Sequence, residues 1–211
     1  MKALYLSLTI VIVDQITKLL LKGVPFLNIN GFRGSKPILG DFLRMTYVEN
    51  PGMAFGYDPG GYFKLAISLF SLFASIGLIY YLYTVRKSNL SLRISLAFIL
   101  GGAVGNLIDR TFYGIFYGYQ SLFYGFVVDF IDVDFFKISF LGHNYDRFPV
   151  FNIADAAVTI GVLLLLIFYK KNQEMPEEEL QTEEGSLNSE NNSTDELTSD
   201  TNKKDTKPAE E

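Results

Sequence analysis

Cysteine and tryptophan are absent from the 211 residues, and histidine occurs once, at His143. Without cysteine there is no disulfide framework, no thiolate nucleophile and no cysteine-ligated zinc or iron–sulfur site. A single histidine excludes a multi-histidine metal centre, so acid–base chemistry falls to carboxylates, lysines and tyrosines. No metal or cofactor is expected. Acids are also scarce over most of the chain. Residues 1–169 hold 10 acids, with Glu49 the one glutamate, against 13 Lys and Arg; residues 170–211 hold 13 acids and 5 lysines, a net charge of −8. An apolar, slightly basic body with an acidic tail excludes a nucleic-acid binder and points to a membrane protein.

What is abundant is long apolar sequence. Four stretches approach the roughly 20 helical residues needed to cross a hydrocarbon core of about 30 Å: about 3–22, 63–84, 92–110 and 152–169. The first resembles a signal peptide in carrying Lys2 before an apolar run. Asp14 and Lys18 interrupt it and no small-x-small cleavage site follows, so it reads as a retained helix. Arg86, Lys87 and Arg93 crowd the short link between the second and third helices, and Lys170 and Lys171 follow the fourth. The positive-inside rule then places both termini and that link in the cytoplasm, with the connections 23–62 and 111–151 outside. Within 23–62, FLRMTYV alternates as a short strand does, between Pro and Gly turns. Residues 111–127 hold eight Phe or Tyr and suit the lipid–water interface. From about residue 172 the composition is that of a disordered acidic tail. The expected domains are therefore a membrane domain over 1–171 and a cytoplasmic tail over 172–211.

On this topology the polar residues converge near the outer surface. Asp14 and Lys18 share one face of helix one; Asn106, Asp109 and Arg110 end helix three; Asn152 and Asp155 open helix four; Asp129 lies in VVDFID just before it. Polar groups beside hydrocarbon are costly, so such a cluster is a functional-site hypothesis by default. Plainer roles exist for each member. Asp14 and Lys18 read as an internal ion pair, Arg110 as a partner of Asp109 or an interfacial anchor, and Asp155 as a helix-start acid. Gly101-x-x-x-Gly105 reads as a close helix–helix contact. His143, Asp132, Asp134 and Asp146 read as surface or solvated loop residues. Two carboxylates in one low-dielectric site cannot both ionise easily, so the pair can supply a base and an acid together, as aspartic proteases do. An ion pathway would also gather charges between helices, although no internal repeat supports a transporter.

Five segments in order, DQITK (14–18), VENPGMAFG (48–56), GGAVGNLIDR (101–110), VVDFI (127–131) and FPVFNIADAAVTIG (148–161), resemble lipoprotein signal peptidase, or signal peptidase II. The resemblance covers about residues 1–170. It implies an all-α membrane protein of four transmembrane helices, with a small β-rich extracytoplasmic cradle and an outer, mobile aromatic-bearing segment. It implies an aspartyl endopeptidase of the bacterial inner membrane that cleaves prolipoproteins before a diacylglyceryl cysteine, with membrane lipids around it and a monomeric state. By motif match the catalytic pair is Asp129 and Asp155. Asp14, Lys18, Asn50, Gly52, Asn106, Asp109, Arg110 and Asn152 match supporting positions. Eighteen residues separate Arg110 from Asp129, a longer link than the family pattern, and the stretch from Asp129 to Asp155 is also enlarged.

Overall fold

The computed structural model describes residues 2–52, 60–134, 138–140, 143–145 and 147–168. The chain divides into two units, Met1–Leu165 and Leu166–Glu211, and the described part of the second is the last three residues of a helix. The expected tail, the PGMAFG residues beyond Gly52 and Asp146 lie outside the described residues.

Among the described residues, three helices are long and apolar enough to cross a membrane: α1 (Lys2–Lys22), α2 (Gly61–Thr84) and α3 (Leu90–Phe116). A fourth, α4 (Ile153–Phe168), is shorter; its described 16 residues span about 24 Å. Its sequence-derived end at residue 169 falls just beyond them. The third helix departs from expectation. It passes the anticipated end at Arg110 and runs six residues further through a π-helical turn, Asp109–Tyr113. A π turn adds a residue to the helical register, and such turns gather at functional sites.

The side-chain distribution fits an apolar solvent. Along α1 the inward stripe is Ala3, Ser7, Ile10, Asp14, Lys18 and Leu21, while Tyr5, Leu8, Ile12, Ile16 and Leu20 point outward and are exposed. Polar groups inside and large apolar groups outside are stable only where hydrocarbon surrounds the helix. At the end remote from Asp14, the core is Ala3, Leu82, Leu96, Ala97 and Leu100, joining α1, α2 and α3. Ser7 Oγ donates to the Ala97 carbonyl at 2.9 Å where α1 crosses α3. The expected Gly101–Gly105 contact is present, and it extends to Gly102. A methyl on Gly102 would overlap the Ala154 carbonyl oxygen, and Gly101 lies against Ile10. Small residues thus let α3 approach α1 on one side and α4 on the other.

The segments between helices carry small antiparallel sheets. Strands β1 (Gly23–Val24) and β2 (Ile29–Asn30) form a short ribbon. Strands β3 (Ser35–Leu39), β4 (Leu43–Asn50) and β5 (Val127–Val133) form the main sheet in that order. Strands β6 (Ile138–Phe140) and β7 (His143–Tyr145, holding His143) pair with each other. The FLRMTYV strand is therefore β4, in the centre of the main sheet. On its other edge β5 takes a bridge from Phe151, with Ile131 N–H donating to the Phe151 carbonyl at 2.7 Å. That bridge fixes the start of α4 against the middle of β5.

Candidate active site

The site begins at the α4 N-terminus, whose first backbone N–H groups have no partner within the helix. Asn152 precedes the helix and its side-chain oxygen accepts from the Asp155 N–H at 2.9 Å. Asp155 returns the bond, its Oδ2 accepting from the Asn152 N–H at 3.2 Å. This is a reciprocal capping box built from NIAD. A third donor, the Ala154 N–H, goes to Asp14 Oδ1 on α1 at 2.9 Å. The helix-start role expected for Asp155 is thus real. It consumes one carboxylate oxygen and leaves Oδ1 facing Asn106, whose Nδ2 donates to it at 2.8 Å.

Asp129 approaches from β5. The register pairs Val48 with Asp129, so Asn50, two residues on, lies diagonal to it on the same face. Asn50 Nδ2 donates to Asp129 Oδ2 at 3.0 Å, and its own carbonyl oxygen accepts from the Gly52 N–H at 2.9 Å, which fixes the amide orientation. Gly52 has φ +127°, a backbone that side-chain-bearing residues rarely adopt. Asn152 Nδ2 donates to Asp129 Oδ1 at 2.6 Å. Asn152 therefore touches both candidate carboxylates, Asp129 through its side chain and Asp155 through its backbone. Asp129 is 2 % exposed, whereas Asp155 is half-buried. Burial, then the negative charge of Asp155, push the Asp129 carboxyl up to about 7, against the opposing hydrogen bonds from Asn50 and Asn152.

Beneath this pair lies a buried ion cluster. Lys18 Nζ is 2.8 Å from Asp14 Oδ2 and 2.8 Å from Asp109 Oδ2, and it donates to Asn106 Oδ1 at 2.9 Å. All three charged residues are fully buried. The Asp14–Lys18 pair is present as expected, and Asp109 is its third member. Asp109 is thus held by Lys18, and by Gln15 Nε2 at 2.8 Å, rather than by Arg110. The π turn explains the difference, since it turns Asp109 inward to α1 and leaves Arg110 in the field of Asp109, Asp155 and Asp129. Arg110 Nε is buried without a hydrogen-bond partner among the described residues. An unused donor beside two carboxylates can serve a polar group that enters the site.

Nine of the ten residues singled out in the sequence are joined by direct hydrogen bonds or ion pairs; among the described residues Arg110 joins them through charge alone. Other members were not anticipated. Gln15 links Asp109 to the Tyr113 hydroxyl, which donates to Gln15 Oε1 at 3.1 Å. Lys22, at the end of α1, pairs with Glu49 at 2.6 Å and sits over the rings of Tyr117 (4.4 Å) and Tyr119 (5.0 Å). Tyr47 also donates to Glu49. Burial raises the Glu49 carboxyl, yet the bonds from Lys22 and Tyr47 outweigh it and hold the group below its usual range. The signal for Lys22 was its spacing, since Asp14, Lys18 and Lys22 recur every four residues. Asp132 needs correction. It is not a solvated loop acid but a buried β5 residue, accepting from Thr46 Oγ1 and Arg147 Nε at 2.6 Å each. Asp134 is exposed near Arg147, as expected of a solvated acid. Among the described residues no group of His, Cys, Asp or Glu has metal-holding geometry.

Apolar membrane-crossing helices around a buried carboxylate–amide network define a membrane-embedded enzyme with the groups for aspartyl hydrolysis. The profile of the signal peptidase (SPase) II family matches residues 6–170. The chain is 35 % identical over 173 residues to the lipoprotein signal peptidase of Chlorobaculum parvum, covering 79 % of this chain and 93 % of that one. It is 32 % identical over 192 residues to that of Porphyromonas gingivalis, covering 79 % and 81 %. A solved bacterial membrane enzyme at 2.3 Å is similar with a TM-score of 0.58 and 30 % identity, over 82 % of this chain and 89 % of the other. This chain belongs to the signal peptidase II family, a family of aspartyl peptidases. Membership decides for a peptidase over an ion pathway.

Proposed function

We propose that this protein removes signal peptides from prolipoproteins, cleaving before the diacylglyceryl-modified cysteine, with Asp129 and Asp155 as its catalytic pair. The observation that carries the reading is Asn152, which holds one carboxylate with its side-chain amide and the other with its backbone N–H. Asp129, whose carboxyl is pushed up by burial and by the charge of Asp155, acts as the acid and hydrogen-bonds the scissile carbonyl oxygen. The Asp155 carboxylate takes a proton from a water as that water attacks the carbonyl carbon. The Asp129 proton passes to the carbonyl oxygen in the same step, giving a tetrahedral diol, which collapses as Asp155 returns its proton to the departing amine and a diol hydroxyl returns one to Asp129. Asn50 and Asn106 keep the two carboxylates oriented, and Arg110 offers its unused donor to the substrate backbone. Lys18, Asp14 and Asp109 support the site without touching substrate.

The same reading makes α4 a fourth span, with 1–171 as the catalytic domain and 172–211 as an acidic tail. The basic link at Arg86–Arg93 then lies in the cytoplasm, and the aspartate pair lies near the outer face of the bacterial inner membrane. The enzyme acts as a monomer. The test is a gel-shift cleavage assay with the full chain in detergent and one precursor presented with and without its diacylglyceryl group. Cleavage of the lipidated form alone, lost in Asp129→Asn and in Asp155→Asn, is expected. Near-normal turnover in either folded variant removes that residue from the pair.

A further inference from the structure

At the end of the helices remote from the aspartates there is a shallow cleft between α1, α2 and α3. Its apolar wall is formed by Ala3, Leu4, Ile79 and Leu82, and Arg86 and Arg93 also line it. Neither arginine has an acidic partner among the described residues. Arg93 has no side-chain hydrogen bond or ion pair among the described residues. Arg86 donates once, to the Tyr83 carbonyl at 3.2 Å, and stacks on the Tyr83 ring at 4.4 Å. No acid can neutralise them from their own elements, because residues 59–108 contain neither Asp nor Glu. The facing elements are no different: α1 has no acid before Asp14 and α4 has none after Asp155. Two guanidinium groups with free donors beside an apolar cleft match a phosphate joined to an alkyl chain.

We infer that this cleft binds one anionic glycerophospholipid, with its phosphate held by Arg86 and Arg93 and an acyl chain lying along Leu4, Ile79 and Leu82. The site is separate from the peptidase centre, and the lipid is a ligand here rather than a substrate. The acidic tail is the competing occupant, since residues 170–211 carry a net charge of −8. The tail can answer the charge but not fill the cleft. Between residues 172 and 211 its apolar side chains are scattered singly among Glu, Asn, Ser and Thr.

Native mass spectrometry of the full chain in detergent tests this, with dioleoylphosphatidylglycerol and dioleoylphosphatidylcholine added at equal concentration. Wild type is expected to retain one phosphatidylglycerol. Loss of each arginine should weaken that retention about fivefold, and Arg86→Gln with Arg93→Gln together about 25-fold, abolishing the preference over phosphatidylcholine. Arg44→Gln, which removes a surface charge on β4 that pairs with Asp41, should change nothing. Ile79→Trp, filling the cleft with both arginines intact, should weaken retention of both lipids. Equal retention of the two lipids by wild type overturns the inference, as does an unchanged preference in the double variant. Unchanged retention in Ile79→Trp reduces the arginines to a surface charge and also overturns it. Retention only after deletion of residues 173–211 hands the cleft to the tail.

Discussion

Replacing Asn50 with Ala removes one donor from Asp129 while leaving the other, Asn152, in place. The Asn50 bond goes to a carboxylate oxygen and favours the ionised form, so it holds the Asp129 carboxyl lower than burial and Asp155 would set it. A hydrogen bond to a charged group contributes about 1.5–3 kcal/mol, and the lower end applies because Asn50 is only half-buried. Divided by 1.36 kcal/mol per unit, that is a rise of about one pH unit. If protonated Asp129 is the acid, wild-type kcat/KM falls as pH rises through about 7. In Asn50→Ala the same limb should fall near pH 8. The variant has a lower plateau, yet its activity relative to wild type rises between pH 6.5 and 8.5. The measurement is kcat/KM for a lipidated precursor across pH 5–9, with detergent melting curves to show that the variant is folded. A limb that stays near 7, or moves downward, refutes the assignment of that titration to Asp129.

Three further outcomes follow from the network around the pair. Lys18→Met leaves Asp14 and Asp109 buried without their cation and should destabilise the protein by about 3–5 kcal/mol in melting experiments; adding Asp109→Asn should restore part of the loss. Gly102→Ala forces α3 away from the Ala154 carbonyl and should reduce kcat by at least about tenfold, since sub-ångström misplacement of catalytic groups is costly, with wild-type activity in a folded variant counting against it. Deleting residues 173–211 should leave cleavage of a lipidated precursor within about twofold of wild type, a change of under 0.5 kcal/mol, and a larger loss in the purified truncated chain would give the tail a catalytic part.

The parts of this structure that show in the sequence are those governed by one local period. Asp14 and Lys18 sit four apart, so any helix puts them together, and NIAD spells an N-cap and its reciprocal acid. The β4 alternation is similarly local. What stayed hidden depends on register and on distant partners. Nothing in GNLIDRTFYG announces a π turn, and without it Asp109 and Arg110 are assigned to each other rather than to α1 and the aspartate pair. Asp132 looked solvated because its partners, Thr46 and Arg147, lie 86 and 15 residues away and meet it only once the sheet has formed. Lys22 resembles an ordinary basic residue at a helix end until β4 and the tyrosines of the aromatic segment close over it.

The same interactions that stabilise the fold orient the candidate chemistry, which is why structural and functional readings of single residues coincided here. A helix N-terminus in a membrane must satisfy its free N–H groups without water. At α4 this is done by Asn152, Asp155 and Asp14, and the capping geometry alone leaves one Asp155 oxygen free of the backbone. Asn152 then spends its remaining amide on Asp129, so the distance between strand and helix is set by a side chain already fixed as a cap. Asp155→Glu would lengthen the cap by a methylene, keep the charge and shift the carboxylate relative to Asn106. It tests geometry against charge more sharply than removal of the acid.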